Sequence, residues 1–142
     1  GIPYRILPGV TSAFGGLASA GIPLTMRGVN GAVVLATGFA AVSDDRPDWK
    51  ALARTGHPIV IYMGLTHLAE TVADLRAGGL LGDTPCAVIE NATLPQERTV
   101  IATLGTLMEA VGRENIASPA LVVVGGIVAL REQLMDRRAG PT

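Results

Sequence analysis

The chain has 142 residues, enough for one domain of ordinary size, and 49% of them are hydrophobic while 16% are charged. This composition excludes an intrinsically disordered chain, because burial of so much apolar side chain can offset the entropy lost on ordering. The formal charge of −1 provides no strong field for nucleic acid or anionic lipid. Apolar stretches such as Ala120 to Val124 are far shorter than the roughly 20 residues of a membrane-spanning helix. We therefore expect neither nucleic acid nor a membrane as partner.

Short apolar runs alternate with helical patterns along the chain, which is typical of a layered α/β domain. In chain order, the first half is predicted to contain a strand Ile2 to Leu7, a helix Ala13 to Ala20, a buried strand Ala32 to Thr37, an exposed loop Phe39 to Pro47, a short helix from Pro47 through Leu52 and a strand Pro58 to Met63. The second half is predicted to contain a helix begun by Thr66 and ended by Gly78-Gly79, strands Pro85 to Glu90 and Arg98 to Thr103, a helix from Thr103 or Thr106 through Val111, a strand Pro119 to Gly125 and a closing helix Ile127 to Met135.

The pattern predicts five strands after the first helix, most of them separated by helices. We therefore expect an α/β fold in which a mixed, roughly five-stranded sheet is flanked by helices. Thr11 or Ser12 is expected to cap the first helix. The segment Asn91 to Glu97 is long enough to be a functional loop rather than a tight hairpin turn.

Residues that mark familiar catalytic centres are sparse. His57, His67 and Cys86 supply no credible zinc set, and we interpret both histidines as surface residues. There is no G-x-S-x-G motif, and without a P-loop lysine Gly125-Gly126 is interpreted as a turn between a strand and a helix. The single cysteine excludes an intramolecular disulfide and fits a reducing compartment.

Small or hydroxyl-bearing residues follow the ends of several predicted strands, notably Thr11 and Ser12, Met63 and Ala92. In open α/β sheets, ligands bind beyond the carboxyl ends of the strands. We therefore expect three loops to bring backbone groups, hydroxyls and a thioether to one pocket that suits a flat heteroaromatic ring with a sugar attached. The alternative, for each loop taken singly, is a plain connection between elements.

Five short sequence blocks occur in order along the chain. They are Pro8 to Ala13, Gly21 to Thr25, Ile61 to Leu65, Pro85 to Thr93 and Ser118 to Gly125. Together, and at compatible spacing, these blocks resemble the uroporphyrinogen-III C-methyltransferases of the tetrapyrrole methylase superfamily. The resemblance runs from Gly1 to about Leu134 and covers nearly the whole chain.

The resemblance implies a two-lobed enzyme that holds the methyl donor S-adenosylmethionine in the cleft between its lobes. Residues 1–10 then correspond to the last strand of a missing first lobe and a linker, residues 11–136 to the carboxy-terminal lobe, and residues 137–142 to a frayed tail. Thr11, Ser12, Met63 and Ala92 match the donor site, and no catalytic residue or metal ligand is expected in this chain. On its own, the chain is expected to bind the donor poorly and to be inactive.

The activity implied by the resemblance is methylation of two ring carbons of uroporphyrinogen III, giving precorrin-2, in sirohaem and cobalamin biosynthesis. The enzymes that the chain resembles imply a cytoplasmic homodimer. Arg27 is expected to pair with an acetate or propionate of the tetrapyrrole, since a guanidinium matches a carboxylate; the alternative is a solvated loop charge.

Two positions depart from the family pattern, because Met26 and Phe39 stand where the family usually has histidines thought to face the acceptor. Losing two imidazoles removes titratable donors from that cavity. Two alternatives to methylation of uroporphyrinogen III therefore stay open, namely a methylase of a later corrin precursor and a non-catalytic lobe for dimerisation or binding.

Overall fold

The computed structural model describes residues 1–39 and 46–138, with the side chains of 137 and 138 left aside. Residues 40–45 of the predicted loop Phe39 to Pro47 and residues 139–142 of the predicted tail lie outside the described residues. The helices are α1 Ser12–Ser19, α2 Trp49–Arg54, α3 Leu68–Ala77, α4 Leu107–Arg113 and α5 Leu130–Arg138, the last preceded by a 3₁₀ turn Gly126–Ala129. The strands are β1 Val34–Thr37, β2 Ile59–Tyr62, β3 Pro85–Glu90, β4 Arg98–Thr103 and β5 Ala120–Val124.

The five strands form one mixed sheet in the order β1-β2-β5-β3-β4, which confirms the predicted fold class. β1 and β2 pair in parallel, and β5 lies antiparallel between β2 and β3. Thr37 is paired with Tyr62, Tyr62 with Leu121, and Glu90 with Ala120. The carboxyl ends of β1, β2 and β3 therefore meet at one edge of the sheet, together with the amino end of β5.

Each face of the sheet is covered by its own helices, and the alternation along β2 shows how. Ile59 and Ile61 face a core built with α2, α3 and α4, whereas Val60 and Tyr62 face α1 and the 3₁₀ turn. The three core positions of β2 are fully buried. Burial on both faces explains why the central strands are continuous apolar runs rather than alternating ones.

The predicted strand Ile2 to Leu7 is not formed, since residues 1–10 are neither helix nor strand. Ile2, Tyr4 and Ile6 are 82–90% exposed, and a strand needs a neighbour for its backbone hydrogen bonds. The prediction of a buried strand at β1 is also wrong, because β1 lies at the edge of the sheet and is half-buried.

Helix starts account for most of the remaining differences. α2 begins at Trp49 and not at Pro47, because Asp48 is its N-cap and its carboxylate accepts a hydrogen bond from the backbone N–H of Ala51 at 2.9 Å. α3 begins after His67 instead of Thr66. The predicted closing helix is a 3₁₀ turn followed by α5, which continues to Arg138 and so overlaps the predicted tail. None of the described helices is long and apolar enough to cross a membrane.

Candidate functional site

A cavity of about 460 Å³ opens at the sheet edge where β1, β2 and β3 end, on the face covered by α1. Its volume lies within the range of roughly 300–1,000 Å³ of small-molecule sites. The lining comes from the start of α1 (Ser12), the residue after β1 (Phe39), the end of β2 and its turn (Tyr62, Met63, Thr66), β3 and its loop (Ile89, Asn91, Ala92, Leu94) and the start of β5 (Ser118, Pro119, Ala120, Leu121).

Three of the four residues predicted for the donor site line this cavity: Ser12, Met63 and Ala92. Thr11 lies beside it and is the N-cap residue of α1, as predicted, but its side chain makes no capping hydrogen bond. Its hydroxyl oxygen is instead 2.6 Å from the hydroxyl of Tyr62, a cavity residue. Thr11 therefore ties the start of α1 to the end of β2. The loops expected to converge do meet at one cavity, while the ligand that it binds stays a prediction.

The backbone of two cavity loops is held in a conformation that L-residues rarely adopt. Met63 has φ of 51°, Asn91 of 50° and Thr93 of 67°. Such residues cost free energy in the folded state and concentrate at ligand sites, where the surrounding structure maintains them. In Met63, this conformation accompanies a side chain that is 59% exposed at the cavity.

Glycines allow the elements around the cavity to approach closely. A Cβ on Gly16 of α1 would lie 2.8 Å from the Cβ of Ala92 and 2.9 Å from Cδ1 of Leu121. A Cβ on Gly38, just after β1, would lie 2.7 Å from the Cα of Gly64 in the turn after β2. Helix α1 therefore packs directly on the loop after β3, and the turns after β1 and β2 approach backbone to backbone.

The cavity wall formed by residues 118–121 is preceded by a segment that is hydrogen-bonded to a buried carboxylate. Glu90 accepts hydrogen bonds from Nε of Arg98 at 2.6 Å and from the backbone N–H of Ala117 at 2.8 Å. Arg98 also donates to the carbonyl oxygens of Glu114 and Asn115. The hydrogen bonds from Arg98 and then from Ala117 lower the pKa of Glu90, so it is charged at neutral pH.

Arg27, predicted to bind the acceptor, does not line this cavity. It is exposed in a turn closed by the bridge between Met26 and Asn30. Asn30 holds that turn by accepting a hydrogen bond from the backbone N–H of Met26. Phe39, the other departure from the family pattern, does line the cavity and is 49% exposed.

Several cavity residues are not predictable as site residues from the sequence alone. Tyr62, Asn91 and the stretch Ser118 to Leu121 all line the cavity but were not among the predicted site residues. Tyr62 and Asn91 directly precede Met63 and Ala92 in the sequence. This adjacency is the only sequence signal that could have identified them. The β5 residues carry no local signal, because an antiparallel strand brings its amino end to this edge only once the pairing is known.

Other reactive side chains do not serve this site. Cys86 is buried, and burial raises the pKa of its thiol to about 12, so it stays protonated and is a poor nucleophile. Within residues 1–39 and 46–138, no three His, Cys, Asp or Glu side chains are grouped to hold a metal ion.

Comparison with known families shows the class of this protein. Residues 1–108 match the family described as "Tetrapyrrole (Corrin/Porphyrin) Methylases", which is most of the chain. The chain belongs to this family, and the resemblance inferred from its five sequence blocks is confirmed.

The individual proteins that the chain resembles are named for particular reactions within this family. The chain is 46% identical over 128 residues to a "Uroporphyrinogen-III C-methyltransferase" of Pseudomonas aeruginosa, covering 89% of the chain and 51% of that protein. It is 41% identical to "Siroheme synthase 2" of Aeromonas hydrophila, covering 94% of the chain and 28% of that protein. The chain thus spans about half the length of the methyltransferase.

The similar solved structures are also tetrapyrrole methyltransferases. A uroporphyrin-III C-methyltransferase of Thermus thermophilus, complexed with S-adenyl homocysteine, is 32% identical with a TM-score of 0.74, covering 91% of this chain and 55% of that one. A cobalt precorrin-4 methyltransferase is 26% identical with a TM-score of 0.78, covering 87% of this chain and 52% of that one.

Proposed function

We propose that the protein carrying this chain transfers methyl groups from S-adenosylmethionine to two ring carbons of uroporphyrinogen III, giving precorrin-2 for sirohaem and cobalamin biosynthesis. The observation that carries the proposal is the cavity lined by Ser12, Met63 and Ala92 at the carboxyl edge of the sheet. The names of the relatives support the choice of reaction and acceptor.

The residues around the cavity fit an adenosyl group. The thioether of Met63 is exposed there and can pack on the adenine ring. The small side chain of Ala92 leaves the backbone of its loop accessible to the ligand. Ser12 and Asn91 provide polar groups among mostly apolar neighbours, which is the usual composition of a cofactor site.

Methyl transfer of this kind depends mainly on alignment. When bound, S-adenosylmethionine supplies an electrophilic methyl group on a sulfonium centre. Met63 and Ala92 would hold this donor at the carboxyl edge of the sheet and so fix the position of its methyl group relative to the acceptor. Phe39 and Leu94 add apolar lining to the cavity. We assign no proton acceptor to this chain.

Incubation of the intact protein with S-adenosylmethionine and uroporphyrinogen III under reducing conditions tests the proposal. We expect a product carrying two added methyl groups by mass, with the dipyrrocorphin chromophore after oxidation. A protein that binds S-adenosylhomocysteine but leaves uroporphyrinogen III unchanged would contradict the acceptor. A protein that binds no S-adenosylhomocysteine would contradict the proposal as a whole, and would favour a non-catalytic dimerisation or binding lobe.

Arg27 is proposed to bind a carboxylate of the acceptor. Because Arg27 is exposed, its guanidinium can form an ion pair with an acetate or propionate side chain of the acceptor. Arg27→Ala should raise the KM for the tetrapyrrole about tenfold and leave the KM for the donor unchanged. Arg54→Ala, which removes an exposed arginine on α2, is the control; equal effects of the two variants would show a general charge effect.

A second candidate is methylation of a later corrin precursor. The high TM-score with the cobalt precorrin-4 enzyme and the presence of Phe39 at the cavity favour it. An aromatic ring there offers apolar contact instead of a titratable donor. Parallel assays with uroporphyrinogen III and a cobalt-precorrin acceptor separate the two activities, because only the true acceptor gains a methyl group.

Assembly and location are also proposals. We propose a cytoplasmic homodimer, on the resemblance and on the single buried cysteine, which fits a reducing compartment. Because the chain spans about half of its methyltransferase relatives, the isolated chain should bind S-adenosylhomocysteine poorly. Sedimentation of the intact protein and calorimetric titration of both forms test these points, and a monomeric intact protein would refute the dimer.

A further inference from the structure

We propose that Glu97 is a positioning residue that shapes the donor cavity by fastening the loop after β3 to helix α1. Glu97 does not line the cavity, so it acts through the residues that it holds. The inference rests on the proposed function only in taking S-adenosylmethionine as the donor. The loop, residues 91–97, is called the β3–β4 loop below.

One carboxylate oxygen of Glu97 joins the two elements. Oε2 accepts a hydrogen bond from the backbone N–H of Thr93 at 2.6 Å and another from the hydroxyl of Ser19, at the end of α1, also at 2.6 Å. Hydrogen bonds to an ionised carboxylate are about twice as strong as those between neutral groups. Glu97 is thus hydrogen-bonded both to its own loop and to helix α1.

The backbone conformation of the β3–β4 loop needs such support. Thr93, a β-branched residue, has φ of 67°, and Asn91 has φ of 50°. A left-handed conformation is especially unfavourable for a β-branched side chain, and it persists only where other contacts stabilise it. The hydrogen bond from the N–H of Thr93 to Glu97 is a contact of this kind.

The position of the loop on α1 determines the shape of the cavity. A Cβ on Gly16 would lie 2.8 Å from the Cβ of Ala92, and a Cβ on Gly15 would lie 3.4 Å from Cγ2 of Thr93, so both glycines face the loop. Ala92 and Leu94 of the loop, and Ser12 of the helix, line the cavity. A small displacement of the loop therefore moves Ala92 and Leu94 relative to Ser12 and changes the shape of the cavity.

Calorimetric titration of S-adenosylhomocysteine into the intact protein tests the inference. Glu97→Ala should weaken binding about tenfold, which corresponds to about 1.4 kcal/mol. Glu97→Gln keeps an oxygen that can accept both hydrogen bonds and should stay within about threefold of wild type. Glu109→Ala, which removes an exposed carboxylate of α4 near Arg113, is the matched control and should bind normally.

Ser19 supplies a second, milder variant. Ser19→Ala deletes the hydroxyl that donates to Glu97 at 2.6 Å and that also lies 3.0 Å from the carbonyl oxygen of Gly16, and it should weaken binding about threefold. In a Glu97→Ala background the same change should have a clearly smaller effect, because the bond to Glu97 is already absent and only the contact with the carbonyl oxygen of Gly16 is lost. Additive losses would overturn the proposed link between helix and loop.

The outcomes separate this inference from the proposed function. If the wild-type protein binds no S-adenosylhomocysteine, the proposed function fails. If wild type binds and Glu97→Ala binds equally well, the positioning role fails, even when the variant melts at a lower temperature. If Glu97→Ala does not fold, the comparison of Ser19→Ala with wild type decides, since unchanged binding contradicts the inference.

Discussion

Met63 combines a strained backbone with an exposed side chain at the cavity. Met63→Gly relieves a left-handed conformation worth about 1–2 kcal/mol, while glycine adds chain entropy worth about 0.5–1 kcal/mol. We expect the free energy of unfolding to change by less than about 1 kcal/mol, and the affinity for S-adenosylhomocysteine to fall about tenfold. Urea denaturation and calorimetry measure the two quantities.

Asn115 provides the control for this substitution, because it has φ of 50° but does not line the cavity. Asn115→Gly should relieve less strain than Met63→Gly, because asparagine tolerates the left-handed conformation, and should leave ligand binding intact. If Met63→Gly binds as tightly as Asn115→Gly, the thioether has no part in holding the donor.

Gly16 is required by packing and not by its backbone angles. Gly16→Ala gains helix propensity of about 1 kcal/mol, but its methyl group would lie 2.8 Å from the Cβ of Ala92. Overpacking typically costs about 1–3 kcal/mol, so we expect a net loss of stability of about 1 kcal/mol. In α4, Gly112→Ala meets open space and should gain about 0.5–1 kcal/mol. Thermal unfolding compares the two, and equal gains would show that α1 does not abut the loop.

At the scale of elements, Glu90 connects β3, β4 and the segment that leads into β5. Its folded-state pKa lies below its ordinary value of 4.5, chiefly because of the hydrogen bond from Arg98. This interaction therefore stabilises the fold at pH above about 4.5 and is lost as the pH falls through the folded-state pKa. Glu90→Gln should be less stable than wild type at neutral pH.

The difference between Glu90→Gln and wild type should shrink in acid, because the stabilisation from Glu90 declines as the pH falls below 4.5 towards the lowered pKa of the folded state. Urea denaturation at neutral pH and at about pH 3 measures it. Glu109→Gln, which alters an exposed carboxylate on α4, should show a small difference at both values. A Glu90→Gln penalty that persists unchanged in acid would mean that the charge of Glu90 is not what stabilises these elements.

Elements whose signals are local are predictable from sequence. The bounds of β3 and β4 match the prediction at every residue, since β-branched runs there end at recognisable turns. The start of α2 differs from the prediction, which began the helix at Pro47, because the side chain of Asp48 accepts a hydrogen bond from the backbone N–H of Ala51 and starts the helix at Trp49. The segment Ile2 to Leu7 has the pattern of a strand but no partner strand among the described residues.

At the scale of the whole molecule, the sheet order decides where the site lies. Met63 and Ala92 follow β2 and β3 and are brought together by the rule that ligands lie beyond the carboxyl ends of strands. Ser12 follows no strand in the structure and reaches the site because α1 packs on the loop after β3. The wall from Ser118 to Leu121 could not be predicted by this rule, because it depends on β5 inserting between β2 and β3. Glu97 escapes prediction for the same reason, since its bond to Ser19 spans 78 positions in the chain.

The place where the donor binds is decided by a crystal structure of the intact protein with S-adenosylhomocysteine. We predict that the adenosine lies in the cavity at the carboxyl edge of the sheet, with its ring against the thioether of Met63 and its sugar beside the loop at Ala92. A ligand bound elsewhere, with both residues out of contact with it, would contradict the assignment of this cavity to the methyl donor.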